Sequence, residues 1–229
     1  MPRPTKPTSV TKQSSVQLIA GILGFSLLLT GSSFGAPLFP VLKLHSGDWA
    51  GNALTGDVNG DGITDMVVSN NDFTGTRAFI EVFFGTGGGM FEPGGRYLEN
   101  DEPDDIVLAD LDGDGLPELV TITIPQFSND NRLTILPNLG NGTFASPVRY
   151  PVEPRAVAVA DFDLDGDTDI LTATSLSDLT VLLNDGDGTF PQPFHTYDFA
   201  PTIWELSVSD MDGDGDSDAV STNPFNDKI

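Results

Sequence analysis

The chain contains no cysteine. Disulfides, thiolate zinc sites and a lipid-bearing cysteine are therefore excluded. Basic residues are also scarce: 10 Lys and Arg stand against 34 Asp and Glu, a formal net charge of −24. Phosphate binding needs clustered cations, so nucleic acid is not an expected partner. Two histidines occur, His45 and His195, and neither has a neighbour suggesting a triad or a zinc site. No stretch from Ala36 onward shows helical periodicity of useful length. Outside the acidic loops described below there is no nucleophile beside an activating base and no paired acid and base. Asp101, Glu102, Asp104 and Asp105 read as adjacent acids of a linker. No enzymatic activity is expected.

Acids are absent before Asp48, and the start of the chain has its own logic. Arg3, Lys6 and Lys12 form a basic lead, residues 16–30 are apolar, and Ser33 and Gly35 stand at −3 and −1 of a cut before Ala36. That layout predicts a secretory signal peptide over 1–35, its apolar run shorter than the ~20 residues of a membrane span. The expected location is secreted, extracellular or at the cell surface, with no stable membrane span after cleavage. An uncleaved anchor is the alternative.

What the chain has in quantity is acid, and half of its 34 acidic residues sit in four nine-residue loops. These are Asp57-Val-Asn-Gly-Asp-Gly-Ile-Thr-Asp65, Asp110-Leu-Asp-Gly-Asp-Gly-Leu-Pro-Glu118, Asp161-Phe-Asp-Leu-Asp-Gly-Asp-Thr-Asp169 and Asp210-Met-Asp-Gly-Asp-Gly-Asp-Ser-Asp218. Positions 1, 3, 5 and 9 are Asp, Asn or Glu, and position 6 is Gly62, Gly115, Gly166 or Gly215. Carboxylates this close repel unless a hard cation sits among them. Calcium takes about six to eight oxygens from such a loop, position 7 giving its backbone carbonyl and the glycine permitting the sharp turn. One calcium per loop, four in all, is expected. The loops start at residues 57, 110, 161 and 210, a regular repeat.

Short strands fill the intervals. Small-and-apolar runs precede the loops: 52–56, 105–109, 155–160 and 204–209. A second strand follows each loop at once: 66–68, 119–123, 170–173 and 219–222. A third (79–84, 133–136, 179–183) leads into a glycine turn ending in Phe91, Phe144 or Phe190, and a fourth lies near 96–98, 148–150 and 194–197. Four short strands in each repeat form the pattern of a β-propeller blade. The expected fold is all-β, with repeats over 50–100, 101–152, 153–199 and a partial 200–229 inside a segment 36–229.

The loop, an apolar strand, then Asn138-Leu-Gly-Asn-Gly-Thr-Phe144 or Asn184-Asp-Gly-Asp-Gly-Thr-Phe190 and the next loop resemble FG-GAP/VCBS repeats, which build the calcium-bearing propeller of integrin alpha chains. The resemblance covers roughly residues 50–222. It implies metal ligands on Asp57, Asn59, Asp61 and Asp65; on Asp110, Asp112, Asp114 and Glu118; on Asp161, Asp163, Asp165 and Asp169; and on Asp210, Asp212, Asp214 and Asp218. It implies carbonyl ligands on Ile63, Leu116, Asp167 and Asp216. It also implies about seven blades, where this chain has three and a half, so an incomplete ring or open arc is expected. The run 37–44 is similar to an outer strand and could complete a last blade. The implied role is a non-enzymatic adhesion or recognition scaffold with an extracellular protein or glycan ligand. The alternatives are the propeller portion of an exported carbohydrate-active enzyme, or a sugar-binding lectin.

Other motifs read as structural. EF-hand and dockerin loops need a following helix and an acid at position 12, where this chain has Val68, Thr121, Thr172 and Ser221. Gly85-Thr-Gly-Gly-Gly has neither the helix nor the lysine of a phosphate loop, and aligns with the other glycine turns. Asn141-Gly-Thr143 matches a glycosylation acceptor, but Asp187 stands at its place in the next repeat, which points to turn chemistry. Trp49 and Trp204, just ahead of metal loops, read as packing residues.

Overall fold

A computed structural model describes residues 50–70, 78–99, 101–125, 131–174, 178–198, 203 and 205–222. The predicted signal peptide, the run 37–44, His45, Trp49 and Trp204 lie outside them. Among the described residues no helix is long and apolar enough to cross a membrane.

Among the described residues, fourteen strands form four antiparallel sheets in strict chain order. The first blade is β1 (Ala50–Gly56), β2 (Asp65–Asn70), β3 (Phe79–Gly87) and β4 (Met90–Tyr97). The second is β5 (Asp101–Ala109), β6 (Glu118–Pro125), β7 (Arg132–Leu136) and β8 (Val148–Tyr150). The third is β9 (Pro154–Ala160), β10 (Asp169–Thr174), β11 (Asp178–Leu182) and β12 (His195–Asp198). The fourth unit is the hairpin of β13 (Glu205–Ser209) and β14 (Asp218–Thr222). First strands lie side by side, β5 against β1, β9 against β5 and β13 against β9. The result is an open, propeller-like arc of three blades and a half.

Period-two alternation explains how one blade serves two neighbours. In β6, Leu119 faces the first blade with Leu136 and meets Val58, Val67, Ile80 and Val82. Val120 and Ile122 point the other way and join Ile135, Val157, Ile170, Leu182 and Phe190. Each aliphatic chain so buried contributes about 1.5–3 kcal/mol. Threonines satisfy the polar positions of these faces within their own sheet: Thr123 and Thr134 hydroxyls are 2.8 Å apart, and those of Thr180 and Thr196 3.2 Å. The glycine-turn phenylalanines pin each blade to the one before. Phe144 meets Tyr97 edge-on at 5.3 Å, and Phe190 meets Tyr150 at 5.6 Å. Tyr197, next in that series, is 58% exposed.

Two expectations are corrected. Gly85–Phe91 is not a turn like the other two. Gly85 pairs with Phe91 and Gly87 with Met90, so β3 and β4 run on to a tight reversal at Gly88 and Gly89, with φ of 63° and 77°. The physical reason is the residue at its head. Asn138 and Asn184 interrupt the later ladders with side-chain bonds, and Gly85 has no side chain to do so. Phe91 accordingly packs with Met66, Val68 and Phe83 and not on a preceding tyrosine. Second, Asp101, Glu102, Asp104 and Asp105 are not in a linker; all four belong to β5, the last two at a register shift. Asp105 Oδ2 accepts the Val157 N–H of β9 at 3.2 Å. Burial pushes its carboxyl up, Asp104 and Glu205 add to the rise, and the Val157 N–H opposes it.

Candidate metal centres

Each acidic loop leaves the first strand of a blade and returns as the second, so two paired strands hold its ends. Gly56 pairs with Asp65, Ala109 with Glu118, Ala160 with Asp169 and Ser209 with Asp218. Backbone N–H groups then turn inward onto the acids. Position 1 accepts the N–H of the position-6 glycine: Gly62 to Asp57 at 2.7 Å, Gly115 to Asp110 and Gly166 to Asp161 at 3.0 Å, Gly215 to Asp210 at 3.2 Å. Those glycines take φ between 78° and 100°, a left-handed region that a side chain would strain. Position 5 accepts the N–H of position 7, as from Ile63 to Asp61 at 2.7 Å and from Leu116 to Asp114 at 2.8 Å.

This folding brings positions 1, 3 and 9 together. Asp110, Asp112 and Glu118 offer carboxylate oxygens within 4.8 Å of one another, as do Asp161, Asp163 and Asp169, and Asp210, Asp212 and Asp218. The position-5 residues Asp114, Asp165 and Asp214 stand outside those sets. In the first loop no three carboxylates converge in this way. Asn59 stands at position 3 there, donating to Asp61 Oδ2 at 3.2 Å and accepting the Asp61 N–H at 2.9 Å. All the donors are oxygen, which suits a hard cation of the calcium class. In the third loop Asp161 Oδ1 is buried with no hydrogen-bond partner, an open acceptor that such a cation would fit. Its counterparts Asp57, Asp110 and Asp210 take the N–H of Gly60, Gly113 and Gly213 at 2.6–2.8 Å.

The third loop also differs at position 4, where Leu164 stands. It replaces the position-4 glycine, holds φ at 64° and is 59% exposed. A leucine in that region is strained by about 1 kcal/mol or more and buries little in return. Leu164→Gly is therefore expected to stabilise the cation-free chain by about 1 kcal/mol, read as a higher melting temperature in chelator. An unchanged or lower melting temperature would refute the strain.

Position 9 does more than face the loop. Asp65 is 0% exposed, Glu118 3% and Asp169 0%. One oxygen of each accepts the N–H of position 2: Val58 to Asp65 at 3.0 Å, Leu111 to Glu118 at 2.8 Å, Phe162 to Asp169 at 2.8 Å. The other accepts a backbone N–H at the end of the third strand: Gly85 at 2.8 Å, Asn138 at 3.2 Å, Asn184 at 2.8 Å. The carboxylate thus clasps the loop to its own sheet. Burial pushes all three carboxyls up, the two N–H bonds pull against it, and neighbouring loop acids push up again.

Asn138 and Asn184, read from sequence only as turn residues, complete the arrangement. Asn138 Nδ2 donates to Val58 O of the preceding blade at 2.9 Å and to Pro117 O of its own at 3.0 Å. Asn184 Nδ2 donates likewise to Leu111 O at 2.7 Å and Thr168 O at 2.9 Å. Their Oδ1 atoms accept the N–H of Gly140 and Gly186. The recurring Asn at a fixed place after the third strand was the available signal, but the second blade it grips is invisible in one repeat. Asn141 and Asp187 do one shared job, each accepting the N–H and hydroxyl of the threonine two residues on. That contact holds the Asp187 carboxyl below its usual range.

Three overlapping stretches, residues 57–121, 110–172 and 161–221, match a family described as FG-GAP-like repeat. Each match runs from one acidic loop through the next, so the matching unit crosses from one blade into its neighbour. No curated protein matches the chain.

Proposed function

Because the chain belongs to the FG-GAP-like repeat family, we propose that it is an exported calcium-binding repeat protein whose blades form a recognition scaffold and not a catalytic site. One observation carries the reading. The same three loop positions converge in three successive units, and in one of them a buried Asp161 oxygen lacks any partner. In a chain without cysteine and with a net charge of −24, a divalent cation in each loop neutralises the clustered acid and ties the first strand to the second. The metal's role is structural, and the ligand is an extracellular protein or a glycan taken up on the arc's surface. Export is supported by the basic lead, the apolar run 16–30 and the Ser33/Gly35 spacing.

Protein recovered from the medium of producing cells is expected to begin at or near Ala36 and to retain calcium, one ion per loop, in elemental analysis after desalting. Intact Met1 on membrane-bound material would overturn export, and metal-free protein from calcium-containing medium would overturn the cation reading.

A further inference from the structure

We propose that the cation sites of neighbouring blades are coupled through Asn138 and Asn184, so that the loops load cooperatively. The proposal rests on the reading of the loops as calcium sites and adds to it a path between them. In the first loop the Val58 N–H is held by Asp65, and the Val58 carbonyl by Asn138 Nδ2. The Asn138 N–H is in turn held by Glu118, whose other oxygen holds the Leu111 N–H. The Leu111 carbonyl is held by Asn184 Nδ2, and the Asn184 N–H by Asp169. Three buried carboxylates in three blades are therefore joined by peptide groups and two asparagine side chains, with no break.

The path is rigid enough to transmit a change. Both asparagines are at least nine-tenths buried, each donating from Nδ2 to two carbonyls and accepting at Oδ1, so neither can turn without leaving a buried group unmade. The turns they head also lie against the preceding loop. A Cβ on Gly142 would come within 3.0 Å of Asn59 Cβ, and one on Gly188 within 3.5 Å of Asp112 Cβ. Without cation the converging carboxylates push apart, and position 2 moves with the position-9 acid that holds it. That movement withdraws the carbonyl from the asparagine of the next blade. Cation in one loop fixes the peptide instead, and through the asparagine it pre-positions the next position-9 carboxylate, which is positive coupling. The relay starts at the first blade: Gly85 holds Asp65 by its N–H but has no amide to reach elsewhere.

The test follows calcium titration of the full chain by NMR, using the amides of Gly115 and Gly166 as separate reporters of the second and third loops. Asp112→Ala disables the second loop. It is expected to weaken calcium at the Gly166 reporter by about fivefold in the otherwise unchanged chain. The same substitution in an Asn184→Ala background is expected to leave the Gly166 midpoint where Asn184→Ala alone puts it. A through-space charge effect would survive in that background, so an equal shift in both overturns the relay, as does no shift in either. If Asn184→Ala does not fold, Asn184→Asp, which keeps the turn acceptor and loses the Nδ2 donor, takes its place. Calcium absent from every loop overturns the calcium reading and the coupling together; unlinked midpoints overturn the coupling alone.

Discussion

In chelator the chain from Ala36 onward is expected to melt at least 15 °C below its melting temperature in millimolar calcium. A cation that binds only the folded form at about a hundred times its Kd contributes about 2.7 kcal/mol per site, and each kcal/mol moves the melting temperature of a domain this size by roughly 2–4 °C. Three converging acid sets give three such contributions before the first loop is counted. The cation-free state also carries the opposing term. Half of the 34 acids are confined to the loops, against 10 Lys and Arg in the whole chain. Screening by monovalent salt in chelator should restore only part of the loss, because close pairs facing one another are screened least. Magnesium should restore less than calcium, since it demands octahedral geometry and holds its waters. Equal melting temperatures in calcium and chelator would dismiss a structural cation.

The blades were legible because short apolar runs and glycine turns recur in step with the acidic loops, and the recurrence of Asp57, Asp110, Asp161 and Asp210 divides the chain into units. The acid at position 9 was legible as a member of the loop, but its second oxygen was not, since the Gly85, Asn138 and Asn184 N–H groups lie a strand away. The linker reading of Asp104 and Asp105 failed for the opposite reason. Adjacent acids look solvent-bound in sequence, whereas a register shift in β5 lets Asp105 reach the N–H of Val157 in the next blade. In the same way the glycines after β3 looked equivalent across repeats. A single side chain, the asparagine that Gly85 lacks, decides whether the ladder continues or breaks into a turn.

Asp169→Ala and Asp163→Ala are expected to separate the clasp from the cation. Asp169 is 0% exposed and accepts the Phe162 and Asn184 N–H groups, each at 2.8 Å. Truncation orphans two buried donors at about 1–3 kcal/mol apiece, so a loss of several kcal/mol is expected even in chelator. Asp163 is exposed, and without cation its charge only repels Asp161 and Asp169. Asp163→Ala should therefore be neutral or slightly stabilising in chelator, and destabilising by a few kcal/mol once calcium is present to be lost. Urea unfolding in both conditions reads all four values. Should Asp169→Ala fail to fold, Asp169→Asn keeps one acceptor oxygen and turns an NH2 toward the other donor, so it should show a smaller loss of the same kind. A position-9 variant that is neutral in chelator would mean that the carboxylate serves the cation alone and that the loop does not need it to stay on its sheet.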